Sequence, residues 1–114
     1  PRMTIMFCAF EGQPLVLRLY GRAKVLHKGD SEWQEFLGLF PPLPGARQIF
    51  DVTLALVQTS CGLAVPYLSY LGDRELLSAW AEKKGEEGLR RYREEKNQLS
   101  LDGIPTHIVV KEGH

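Results

Sequence analysis

From Leu17 to Val25 the chain alternates without a break: Leu17, Leu19, Gly21, Ala23 and Val25 fall on one side, Arg18, Tyr20, Arg22 and Lys24 on the other. A side-chain period of two held over that length is the pattern of a β-strand with one apolar and one polar face, and a helix cannot produce it. Such a strand needs neighbours. The segment just before it, Met3 to Phe10, is apolar on both faces, as expected of a strand covered on both sides. Glu11-Gly12-Gln13-Pro14 between them is a turn, so the two segments read as a hairpin. Gly21 inside the second strand signals a bulge or a close backbone approach.

Further along, Lys28-Gly29-Asp30-Ser31 punctuates the chain, with Asp30 or Ser31 placed to cap a short helix. Trp33, Phe36, Leu37 and Phe40 follow at the spacing of one helical face, which is the pattern of core packing. Pro41-Pro42-Leu43-Pro44-Gly45 ends that helix as a stiff connector. Ile49 to Gln58 returns to strand, rich in β-branched and apolar residues. Asp51 near its start is either solvated or a partner for Arg47. Val65 to Gly72 is expected as an extended, packed loop. Asp73 is placed to cap a second helix with Leu76, Leu77, Trp80 and Ala81 on one face, interrupted at Gly85 and Gly88 and continued by Leu89, Tyr92 and Lys96. Glu86-Glu87 ahead of Arg90-Arg91 makes a solvated, mixed-charge face. Asp102-Gly103 is a turn, and Ile108 to Val110 is expected to add a terminal strand. Sheet plus two helical regions gives an α+β class, and 114 residues are enough for a single domain, 1–114.

The totals narrow the function. Fourteen basic and fourteen acidic residues cancel, which leaves no electrostatic footprint for nucleic acid or an anionic membrane. The longest apolar run is far short of a membrane span, and no secretory pattern opens the chain. Cys8 and Cys61 are expected as reduced thiols in a cytoplasmic protein, and no Cys/His cluster has the spacing of a zinc site. His27, His107 and His114 lie far apart at turns or the tail, and Ser60 has no His or Asp nearby in sequence. A triad therefore has no support, and no catalytic residue is assigned.

The strongest candidate for a binding site is the end of the Ile49 strand. Val57 runs into Gln58, Thr59, Ser60, Cys61 and Gly62, several short hydrogen-bonding groups on a rigid support, with a glycine that removes a blocking Cβ. A planar cofactor needs such amide and hydroxyl contacts beside an apolar slot, and its phosphate needs cations, for which Arg18, Arg22 and Lys24 are available.

Several segments carry a family resemblance: Arg2 to Gly12, Leu17-Arg18-Leu19-Tyr20-Gly21-Arg22-Ala23, Val57-Gln58-Thr59-Ser60-Cys61-Gly62, Trp80 to Leu89 with Glu95-Lys96-Asn97, and Ser100-Leu101-Asp102-Gly103-Ile104-Pro105. Taken in order, from Pro1 to about Thr106, they resemble the pyridoxamine 5′-phosphate oxidase-like group with the FMN-binding split-barrel fold. The resemblance implies a six-stranded Greek-key split barrel, a homodimer, and FMN held at the subunit interface. It places Gln58, Thr59, Ser60 and Cys61 near the flavin, with Arg18 and Arg22 as phosphate candidates. It also implies further strands before Arg2, so the expectation is a partial split barrel, shortened at its N-terminus, with weak or no oxidase activity. Pro1 is then either the residue after a removed initiator methionine or the start of a fragment. The alternative expectation is a flavin-free dimeric binding or signalling protein that uses the shortened sheet as a scaffold and pairs its apolar face, Met3 to Phe10, with another chain.

Overall fold

A computed structural model describes residues 1–109. Its elements are β1 (Arg2–Cys8), β2 (Val16–Leu26), α1 (Trp33–Leu37), β3 (Ile49–Ser60) and α2 (Leu76–Lys96). The architecture is α+β, with an open three-stranded antiparallel sheet in the order β1-β2-β3. The sheet does not close into the barrel that the resemblance implies. The chain divides into two compact units, one of Pro1–Lys24 with Phe50–Asp73, the other of Val25–Ile49 with the chain from Arg74 onward.

In the first unit the hairpin forms as the alternation predicts. β1 pairs antiparallel with β2 from Arg2 opposite Arg22 to Cys8 opposite Val16, with Met3 opposite Gly21 and Ile5 opposite Leu19 between them. Ala9 N–H donating to the Leu15 carbonyl at 2.9 Å closes the turn. Gly21 serves a close approach: a Cβ there would lie 2.3 Å from the Thr53 carbonyl oxygen. The expectation that β1 is covered on both sides fails. It is an edge strand, and Met6 and Phe7 are exposed. β3 is exposed along its whole second half, and its neighbours Leu56 and Val57, which the pleat sends to opposite faces, are each 56% exposed. The segment 65–72 has no regular structure, as expected, yet its apolar side chains are not packed down; Leu71 is 97% exposed.

In the second unit Leu26, Trp33 and Ile49 form a buried cluster, with Phe36 and Leu37 packed against it. Helical spacing put Trp33, Phe36 and Leu37 on one face, and they do share that cluster. Phe40 does not, because the helix stops at Leu37 and leaves it exposed. The expected caps are spent elsewhere. Asp30 Oδ2 accepts from the His27 backbone N–H at 2.7 Å, and Asp73 Oδ1 accepts from the Tyr70 hydroxyl at 2.6 Å. The N-cap positions are Glu32 and Glu75, neither with a side-chain cap bond. Arg47 bonds Asn97 rather than Asp51.

α2 is kinked at Gly85, whose φ of 68° and ψ of 175° only glycine adopts readily. The expected apolar face ahead of the kink is only partly covered: Ala81 is buried, Trp80 is partly covered, and Leu76 and Leu77, a turn nearer the N-terminus, are exposed. Beyond the kink the mixed charges pair as the spacing predicts. Glu87 accepts from Arg90 at 2.6 Å and from Arg91 at 3.2 Å, and Arg90 also reaches Glu94. After α2, a Leu99–Pro105 bridge flanks the Asp102-Gly103 turn. Ile108 and Val109 are not in a strand; Val110, the rest of that expected strand, lies outside the described residues, as does His114.

The Arg90 hydrogen bonds hold the Glu87 carboxyl below its ordinary value of 4.5, with Arg90 and Arg91 charges adding to the effect. A depressed folded pKa means that this contribution is full above the unfolded value and is lost as pH falls through the folded one. Acidification below about pH 4.5 is therefore expected to lower α2 helicity, read by circular dichroism, and Glu87→Gln is expected to flatten that part of the acid transition. An acid transition unchanged in the variant would exclude the effect.

Candidate functional site

The hairpin register builds the site. Residues directly opposite in an antiparallel pair share a face, so Arg2, Thr4 and Met6 of β1 lie beside Arg22, Tyr20 and Arg18 of β2. β3 adds to the same face from the other side. Arg18 Nη1 donates to Ser60 Oγ at 3.0 Å, and the Tyr20 hydroxyl donates to Gln58 Oε1 at 3.2 Å. The result is a row of two cross-strand polar pairs, Arg18–Ser60 and Tyr20–Gln58, continued by Arg22 and Arg2. No carboxylate occurs in Arg2–Cys8, in Val16 to Arg22, or in Gln58 to Ser60, so the row carries three cations and no internal anion. Arg22 directly opposite Arg2 is a like-charge pair, which costs stability unless an anion or solvent intervenes.

Of the six candidates read from the sequence, the structure therefore brings Arg18, Ser60 and Gln58 together and sets Arg22 on the same face. Thr59 goes elsewhere. The strand does not stop at Gln58 but runs on through Ser60, so the pleat turns Thr59 to the opposite face from Gln58 and Ser60. Cys61 is an exposed free thiol just past the strand end, outside the row. Gly62 does leave out a Cβ where space is short, but the neighbour is the chain itself, with Leu15 N 2.9 Å from where that Cβ would be.

Sequence reasoning missed Arg2 and Tyr20 as members of the row. Tyr20 was recoverable, because it shares the polar face of the alternation with Arg18. Arg2 was not, because its position opposite Arg22 depends on the register that the turn sets. The chemistry on offer is anion recognition by guanidinium groups, beside hydroxyl and amide groups that can meet the polar edge of a planar ring. These donors suit a cofactor phosphate. The row is open to solvent, with Gln58, Thr59, Ser60 and Arg22 all exposed, so an apolar slot for a ring is not enclosed by this face alone.

No family model matches the chain, and no solved structure matches it. It is 31% identical over 121 aligned positions to the pyridoxamine 5′-phosphate oxidase family protein UstO of Aspergillus flavus. That alignment takes in 91% of this chain and 48% of the relative, so the chain spans about half the length of the curated protein it matches. Along nearly all of its described length the chain is similar to a pyridoxamine 5′-phosphate oxidase family protein, which supports that family for it.

Proposed function

We propose that the chain is an FMN-binding protein of the pyridoxamine 5′-phosphate oxidase-like group, built as part of a split barrel and completed by a second copy. The row Arg18–Ser60 and Tyr20–Gln58 is the observation that supports this reading most directly. Arg18 and Arg22, with Arg2, would hold the phosphate, and Gln58 and Ser60 would hydrogen-bond the flavin. Thr59 and Cys61 are more distant candidates that a partner's surface would have to bring into play. Bound FMN would supply redox chemistry at its ring, while this chain supplies charge, position and part of the wall. Oxidase activity of the chain alone is weak or nil on this reading, because an open sheet face neither excludes water nor orients a substrate.

Titration of FMN followed by gel filtration is expected to leave a visible flavin band on the protein. Arg18→Ala is expected to weaken binding by at least about tenfold, the lower range for losing a charge-assisted contact. A protein that stays colourless in excess FMN would sink the cofactor reading.

The second reading, a flavin-free dimeric binding or signalling protein, draws on the apolar exposure of the first unit. Leu54 and Leu56 on one face of the edge strand β3 and Val57 on the other, with Tyr67 and Leu71 beyond the strand, offer a partner a strand edge and exposed apolar side chains. Either reading expects a homodimer or a protein partner, and a solution mass equal to one chain would count against the dimer in both. Neither nucleic acid nor membrane is among the proposed partners. No helix among the described residues is long and apolar enough to cross a membrane, and the cytoplasm is the proposed location.

A further inference from the structure

We propose that a cleft within the second unit, apart from the polar row on the sheet, binds a small planar aromatic anion, an aryl carboxylate or aryl phosphate. The cleft lies between the segment at Pro44 to Arg47 and the two halves of α2, and it has a volume of about 610 Å³, ample for a single-ring ligand. One wall is aromatic. Trp80 and Tyr92 meet edge to face with centroids 5.1 Å apart at 81°. Twelve residues along a straight helix would separate them by about 18 Å. The Gly85 kink is what folds the halves of α2 so that these rings meet. A pair serving only as core would be buried, yet both rings keep 38% of their surface exposed.

The other lining supplies charge. Arg47, Lys84 and Arg93 line the cleft, and among the described residues no carboxylate does. Both guanidinium groups are positioned by neutral acceptors: Arg93 Nη2 donates to the Gly45 and Ala46 carbonyls at 3.2 and 3.3 Å, and Arg47 Nη1 donates to Asn97 Oδ1 at 3.1 Å. Each keeps further N–H donors for a planar anion. Burial first, and then the neighbouring Arg47 charge, pull the Arg93 pKa below its ordinary value. The carboxylates of Glu87 and Glu94 are held by Arg90 and Arg91. Lys84 Nζ stands 5.3 Å from the Trp80 ring centroid and 5.7 Å from that of Tyr92, where it can meet an anionic group of a ligand lying on either ring. Cations, an aromatic wall and an open volume converge on one ligand chemistry.

The test is titration of the full chain with benzoate and with phenyl phosphate, followed by the two tryptophan indole N–H resonances, which Trp80→Phe assigns. A saturable shift of the Trp80 signal, with that of buried Trp33 unmoved, is the expected result. Whichever aryl anion binds more tightly identifies the head group. Arg47→Gln and Lys84→Gln are each expected to weaken binding by about tenfold, and the exposed Lys83→Gln to leave it unchanged. Arg93→Lys keeps the charge if Arg93→Gln fails to fold, and is expected to bind more weakly than the parent through loss of the fork. No saturation with either aryl anion would overturn the proposal. So would unchanged affinity in Arg47→Gln, or inorganic phosphate or benzyl alcohol binding as tightly as the aryl anions. The readout needs no flavin, so its failure and failure of the FMN reading are separate results.

Discussion

Trp33→Ala is expected to destabilise the second unit by about 3–5 kcal/mol, the range for deleting a buried large aromatic side chain. Trp33 is 4% exposed and packs with Leu26, which is fully buried, and Ile49, with Phe36 and Leu37 around them. This cluster ties the end of β2, the whole of α1 and the start of β3 together. Alanine would leave a cavity there that so short a helix cannot collapse to fill. Against a typical domain stability of about 5–15 kcal/mol, the loss is large enough to move the urea midpoint strongly or to leave the unit unfolded. Trp80→Ala provides the contrast, since that ring is partly exposed and should cost markedly less. Equal losses for the two tryptophans, or less than about 1 kcal/mol for Trp33→Ala, would contradict the assignment of the core.

Gly21→Ala is expected to cost at least about 2 kcal/mol, toward the upper end for overpacking, although it adds a single methyl group. The new Cβ would lie 2.3 Å from the Thr53 carbonyl oxygen, 2.8 Å from Val52 Cγ1 and 3.0 Å from the Thr53 carbonyl carbon. Two of those atoms are backbone, so no rotamer change relieves the clash. β3 must move, and the pairs Arg18–Ser60 and Tyr20–Gln58 move with it. On the proposed FMN reading the variant should therefore lose flavin affinity as well as stability, with urea unfolding and flavin titration reporting the two effects. Stability within about 0.5 kcal/mol of the parent would show that β3 does not pass over Gly21 in solution.

The hairpin was legible because period two in β2 leaves one assignment, whereas Gly21 signalled either a bulge or a close approach, and only the Thr53 carbonyl beside it decides for the second. The end of β3 was placed two residues short. Thr59 and Ser60 lie past the strand expected from Ile49 to Gln58, but their backbone continues it and only their side chains are polar. Asp30 and Asp73 looked like helix caps because local sequence shows an acceptor before a helix. It cannot show that each helix starts later, with Glu32 and Glu75 at the N-cap two residues beyond Asp30 and Asp73. Leu76 and Leu77 share a helical face with Ala81 yet are exposed, because periodicity shows which residues share a face and not how far that face is covered, and Gly85 was read as an interruption without a direction.

The sequence by itself determined the α+β class, the polar and apolar sides of β2, the packing of Trp33, Phe36 and Leu37 in a core, and the resemblance that the relative supports. Those are consequences of local periodicity and of motif residues in order. Only the tertiary structure decided that Arg2 stands opposite Arg22, that Thr59 turns away from Gln58 and Ser60, and that Trp80 meets Tyr92 across a kink. Register, pleat phase and kink direction depend on backbone geometry and on contacts between distant residues, which no local window of sequence contains.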